Sequence, residues 1–224
     1  MNIAMLPRAA LLLAGLGFLA SAPAAQERQS ADTMARALQT RYQGIRDFSA
    51  DFVQTYRGGV LRTQTSERGS VVIKKPGRMR WTYTSPERKE FVSDGQKLYS
   101  YLPQDRQVVV ATLPPDDQAT TPALFLTGKG DISRDFTAAH VDNPPAGMAA
   151  LKLTPRRSEP EYEYLLVTID ARSLQIRVLT TRDRQGGDST LTFANLKENT
   201  GISDKEFVFR IPRGVDVITD GSAN

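Results

Sequence analysis

The side chains able to do chemistry are few, and their spacing says what they cannot do. Of 224 residues one is histidine, His140, and none is cysteine. Zero cysteines exclude disulfides, thiolate metal sites, a thiol nucleophile and a lipidated cysteine. One histidine permits a Ser-His-Asp triad but no histidine-based metal cluster. There is no G-x-S-x-G, S-x-x-K, H-E-x-x-H or P-loop, and Gly128-Lys129-Gly130 is too short for a dinucleotide fingerprint. Asp116-Asp117 imitates a carboxylate pair, but beside Pro114-Pro115 it reads as a solvated loop. Nothing calls for a cofactor or metal. The chain reads as a non-enzyme, with a carboxylate-based secreted hydrolase kept as an alternative, since Asp and Glu alone can run acid–base chemistry.

Charge is the other chemical signal. From Arg57 to Lys97 there are ten basic residues against Glu67, Glu87, Glu90 and Asp94, in a chain whose formal charge is +4. Basic strands with aromatics can bind single-stranded nucleic acid. Here Arg78 and Arg80 alternate with Met79, Trp81 and Tyr83, so cations and apolar side chains fall on opposite faces of one strand. That alternation predicts a solvated outer face over an apolar inner one and argues against nucleic acid. Docking onto acidic lipid or an acidic partner is a weaker reading.

These residues must be held by a β framework. Arg8 is the single charge in residues 1–24, followed by the apolar run Ala9–Ala20 and the small residues Ala22-Pro23-Ala24. That is the pattern of a secretory signal peptide, too short to span a membrane, so the mature domain is expected over 25–224. Residues 30–46 carry apolar positions at helical spacing. Period-two patterns then predict strands at 48–56, 60–67, 69–75, 78–84, 89–93, 96–102, 107–111, 134–141, 148–154, 161–169, 174–182, 189–196 and 206–211. A second short helix is expected at 121–127, opened by Thr121-Pro122 and holding Leu124, Phe125 and Leu126. The expected fold is mainly β with short helices: one antiparallel sheet of about eleven strands, curled into a barrel or open half-barrel.

Six segments together resemble a known family. They are Phe48-Ser49-Ala50-Asp51-Phe52-Val53-Gln54, Lys74-Lys75-Pro76-Gly77-Arg78-Met79-Arg80-Trp81, Ser93-Asp94-Gly95 before Leu98-Tyr99, Thr121-Pro122, Phe193-Ala194-Asn195-Leu196, and Pro212-Arg213-Gly214-Val215-Asp216-Val217. Their order and spacing resemble the periplasmic outer-membrane lipoprotein carriers, the soluble shuttles of the Lol pathway. The resemblance implies an unclosed β-barrel with helices forming a lid over an apolar cavity. It implies a monomeric periplasmic carrier that takes acylated lipoproteins from an inner-membrane ABC transporter to an outer-membrane lipoprotein acceptor. Phe48, Phe52, Met79, Trp81, Tyr83 and Phe91 then become candidate cavity walls. Tyr42, Ile45, Leu124, Phe125 and Leu126 become candidate lid contacts. Lys75 stands where the family has a gating arginine, and is expected to reach carbonyls at the end of helix 121–127. Met79 stands where the family has an aromatic, and still offers an adaptable apolar surface. The alternative on the same fold is a periplasmic lipid sensor or regulator, or a shuttle for another lipid.

Overall fold

The computed structural model describes residues 30–58, 64–113, 126–127 and 131–219. The proposed signal peptide, Asp116-Asp117, Leu124 and Phe125 lie outside them. The chain opens with α1, Ala31–Gln43, capped by the Ser30 hydroxyl, which accepts from the Thr33 N–H at 3.2 Å. Ala35, Leu38 and Tyr42 form its buried stripe.

Twelve strands follow in one sheet: β1 (Asp47–Arg57), β2 (Gln64–Lys74), β3 (Arg78–Ser85), β4 (Lys89–Asp94), β5 (Lys97–Leu102), β6 (Gln107–Thr112), β7 (Phe136–His140), β8 (Met148–Pro155), β9 (Tyr162–Asp170), β10 (Ile176–Asp183), β11 (Asp188–Glu198) and β12 (Asp216–Thr219). The spatial order is β12-β6-β5-β4-β3-β2-β1-β11-β10-β9-β8-β7. The sheet therefore grows from β1 in both directions. Strands β1 to β6 meander one way, and β7 to β11 return from the far edge to pair with β1 on its other side. β6 and β7, consecutive in the chain, lie toward opposite ends of the strand order. A single turn of helix, α2 (Ile132–Asp135), precedes β7, and its Ile132 N–H donates to Gln39 Oε1 of α1 at 2.9 Å.

The expected fold class holds, with local differences that have physical causes. Segments 60–67 and 69–75 were expected apart; the described part is one continuous strand. Gly69 makes this possible, because a Cβ there would sit 2.0 Å from the Thr82 carbonyl oxygen. Segment 134–141 is part turn, because the Asp131 carboxylate accepts from the Arg134 N–H at 2.8 Å and caps α2. Segment 206–211 is not a strand. Asp204–Phe207 forms a 3₁₀ turn and the chain then crosses the outer face of the sheet. The Arg80 guanidinium takes the Glu206 carbonyl at 2.6 Å and the Val208 carbonyl at 3.0 Å, bonds that a neighbouring strand would otherwise make. The unexpected last strand is β12, which pairs with β6 in parallel.

Both faces of β3–β6 are consequently covered. The inner face joins α1, β1–β3 and β7–β11 in the main core. The outer face carries Val92, Tyr99, Tyr101, Val108 and Val110, opposite one another in register. It is covered by Phe207, buried to 1% exposure, and by Phe209, stacked on Tyr99 at 5.3 Å.

Candidate functional site

Alternation along β3 places Met79, Trp81 and Tyr83 on the inner face, exposed by 4, 4 and 9%. In register, Trp81 stands between Val71 and Phe91, and Tyr83 between Gly69 and Lys89. Phe52 is opposite Gly69 on the other side of β2. Because Gly69 has no side chain, Phe52 reaches across it, packing edge-on to Trp81 at 5.1 Å and to Tyr83 at 4.9 Å. Phe91, half-buried, closes the group edge-on to Tyr83 at 5.8 Å. The structure thus brings together Phe52, Trp81, Tyr83 and Phe91. Phe48 lies further along β1, against Tyr42 at 6.5 Å, with Ile45 buried close by in sequence. Leu126 is buried to 1% and belongs to the same core as all of these.

One end of this face is closed by polar groups. The Tyr83 hydroxyl donates to Gln54 Oε1 at 2.6 Å, and Gln54 Nε2 donates to Ser189 Oγ at 3.0 Å. Burial pushes the Tyr83 hydroxyl up, with Glu67 adding to the shift, so it remains a neutral donor. Lys89 sits over the Tyr83 ring at 4.4 Å and pairs with Glu67 at 2.7 Å. Trp81 differs from its neighbours: its Nε1 is buried and has no hydrogen-bond partner. Gln54 and Gly69 were not singled out from the sequence as site residues. Their signals were a polar residue at an inward position of β1 and a glycine inside a strand pattern.

The other end carries Lys75. Its Nζ donates to the Tyr42 carbonyl in the last turn of α1; residues 121–125 of the helix it was expected to reach lie outside the described residues. The final carbonyls of a helix lack intrahelical donors, which makes that turn a ready acceptor. The same Nζ lies over the Tyr42 ring at 4.2 Å. Burial pushes the Lys75 ammonium down to about 8, opposed by the charge of Glu198. The tie to residues 126–127 is made by backbone instead: the Gly77 N–H donates to the Thr127 carbonyl at 3.4 Å. The Ser93-Asp94-Gly95 motif fixes this corner. Ser93 Oγ donates to the Gly77 carbonyl at 2.8 Å and accepts from the Gly95 N–H at 3.1 Å. Gly77 and Gly95 both have positive φ, 69° and 101°, and a Cβ on Gly77 would lie 3.3 Å from the Gly95 Cα.

The basic segment is less solvated than its alternation suggested. Arg80 pairs with Glu90 as well as with the carbonyls of the C-terminal segment. Lys74 Nζ donates to the Ile202 carbonyl at 2.8 Å and pairs with Asp204. With Lys75 and Lys89, four of the ten cations serve as internal ties. His140 lies on β7 at the sheet edge, remote in the sheet order from β3. Among the described residues, no group of three or more His, Cys, Asp or Glu side chains could hold a metal ion. No described helix is long and apolar enough to cross a membrane.

The inner face is thus an apolar, aromatic sheet surface buried in one core with α1, with a cation tying sheet to helix. Residues 43–210 match the family model of the outer membrane lipoprotein carrier protein LolA. An outer-membrane lipoprotein carrier protein of Methylococcus capsulatus is 32% identical over 194 residues, 86% of this chain and 90% of its relative. One from Chromohalobacter salexigens is 33% identical over 189 residues, 84% and 87% of the two chains. Among solved structures, an uncharacterized conserved protein from Thermus thermophilus shares the fold, with a TM-score of 0.51 at 16% identity over 83% of this chain and 98% of that one. The chain belongs to the family of outer-membrane lipoprotein carrier proteins.

Proposed function

We propose that this protein is a periplasmic carrier that binds the acyl chains of lipoproteins released from the inner membrane and delivers them to an outer-membrane acceptor. It works as a monomer, exported by the signal peptide at 1–24, with 25–224 as a single carrier domain. An inner-membrane ABC transporter loads it and an outer-membrane lipoprotein acceptor unloads it. Its work is binding and release, without catalysis. The observation that carries this reading is the inner face of β3, where Met79, Trp81 and Tyr83 are buried in one core with α1 and Leu126.

Magnitudes explain why a cover is useful. Burying a methylene contributes ~0.8 kcal/mol, so a 16-carbon chain gains on the order of 12 kcal/mol gross. Two or three such chains on a permanently open face would be held too tightly to hand over. A face that is already packed when empty yields less, because cargo must displace the apolar contacts of α1 and Leu126. Lys75 contributes little to that total. Its charge-assisted bond to Tyr42 is worth ~1.5–3 kcal/mol, and the desolvation that lowers its proton affinity works against closure. It adjusts the balance between covered and uncovered states without deciding whether cargo binds.

Native mass spectrometry of the protein purified from its own periplasm tests this function. Bound triacylated protein supports the carrier. Bound free lipid points to a shuttle for another lipid, and an empty protein that fails to accept acylated lipoprotein refutes both.

A further inference from the structure

We infer that the indole N–H of Trp81 is a hydrogen-bond donor for an acyl carbonyl of the cargo, and that it selects acyl lipids over alkyl ones. This rests on the carrier reading above and specifies the polar chemistry of the same face.

Trp81 is the sole tryptophan of the chain, 4% exposed, and its Nε1 has no partner. Buried donors are nearly always paired, and an unpaired one is a standing cost to the fold. The polar groups on this face are bonded elsewhere. The Tyr83 hydroxyl and Gln54 are bonded to each other, and Ser93 Oγ is engaged with Gly77 and Gly95. The residues opposite Trp81 in register are Val71 and Phe91, and Phe52 packs on its ring. If the position served packing alone, a phenylalanine would fill it without an orphaned N–H. Tryptophan in an apolar setting is suited to a partner that arrives from outside.

An acyl chain brings such a partner. It is joined through an ester or amide, so its hydrocarbon enters with a carbonyl at one end. That oxygen loses its water as it is drawn onto an apolar face, which is costly unless a donor replaces the water. The indole N–H and the acyl carbonyl satisfy each other. The bond would also fix how deep the chain lies, with the carbonyl level with β3 and the tail running along the inner face. An ether-linked chain of equal length offers the same hydrocarbon and no carbonyl.

Because there is a single tryptophan, the indole N–H gives one assignable ¹⁵N–¹H signal in the unmodified protein. The probes are a short-chain diacylglycerol and the dialkyl ether of the same chain lengths. The diester should move the indole signal downfield and the diether should not. Trp81→Phe should weaken diester binding about three- to ten-fold more than it weakens diether binding, the range of one net hydrogen bond. If both probes bind and the indole signal responds to them alike, or if Trp81→Phe keeps the full diester preference, the inference is wrong and the carrier reading stands. If neither probe binds, the carrier reading fails and takes the inference with it. The signal is read in the native chain, so a poorly folded variant does not leave the question open.

Discussion

The two faces of the sheet at β3–β6 are both covered, the inner one apolar and aromatic, the outer one bearing Arg80 beside Val92, Tyr99 and Val110, but by covers of different construction. On the outer face the C-terminal segment is fastened at many points. Phe207 is fully buried, and Arg80 holds two of its neighbours' carbonyls. Lys74 holds the Ile202 carbonyl, Arg106 donates to the Gly214 carbonyl at 2.8 Å, and β12 adds backbone pairing to β6. On the inner side α1 is tied through Lys75 to the Tyr42 carbonyl, through Arg41 to Glu198 at 2.7 Å and to the Ser173 carbonyl, and through Gln39 to the Ile132 N–H. The Thr127 carbonyl accepts from the Gly77 N–H of the sheet corner at 3.4 Å. The contrast teaches that burial alone does not separate core from binding face. The kind of tie differs: the outer cover ends in a strand paired with β6, whereas α1 is held to the sheet by side-chain bonds.

The largest effect should come from the fixed cover. Phe207→Ala removes a buried aromatic and should cost about 3–5 kcal/mol in urea denaturation. Its folded fraction should still take up acylated lipoprotein normally. A loss of uptake at full folding would mean that the outer cover also serves the cargo.

Next in size is a charge on the displaceable side. Met79→Glu sets a carboxylate on the inner face, where a dry unpaired charge would be prohibitive. The cover should yield, leaving a folded protein that binds apolar dye when empty and fails in transfer to acceptor. An unfolded Met79→Glu protein would place Met79 in an ordinary core.

Lys75→Arg should act more modestly. A guanidinium stays charged, is less strongly hydrated than an ammonium and can serve two carbonyls at once. The covered state should gain and cargo uptake should slow about three- to ten-fold, the worth of one added bond. Uptake at the original rate would show that Lys75 has no part in the cover.

The smallest effect is on pH. Covering lowers Lys75 from its ordinary 10.5 to about 8. Between those values the covered state binds fewer protons than the uncovered one, so rising pH favours covering. Below 8 both states hold the proton and the balance is flat. Dye uptake by the empty protein should fall across that window, and the fall should vanish in Lys75→Arg. A pH-independent uptake with Lys75 in place would contradict its desolvation in the covered state.

Much of this arrangement was legible in the sequence because it rests on local rules. The alternation Met79, Trp81, Tyr83 assigned the inner face, and Asp94-Gly95 assigned a hairpin. What was missed depends on pairings distant in sequence. Nothing near Gly69 announces that Phe52 and Tyr83 meet across it. The alternation at 206–211 looks like a strand until Arg80, more than a hundred residues away, takes its carbonyls. Lys75 stands out in the sequence as a tie from sheet to helix, and among the described residues the acceptor is the last turn of α1. That choice is set by how the sheet curls, which no local pattern encodes.

The central claim, that the inner face of β3 receives acyl chains while the outer cover stays shut, can be read from one fluorophore. Acylated lipoprotein carrying brominated fatty chains should quench Trp81 on loading, because bromine quenches on close contact, and the unbrominated cargo should not. A Trp81→Phe, Phe209→Trp protein moves the fluorophore to the outer face and should load without quenching. Full loading that leaves Trp81 unquenched, or that quenches the tryptophan at 209 equally, would contradict the account.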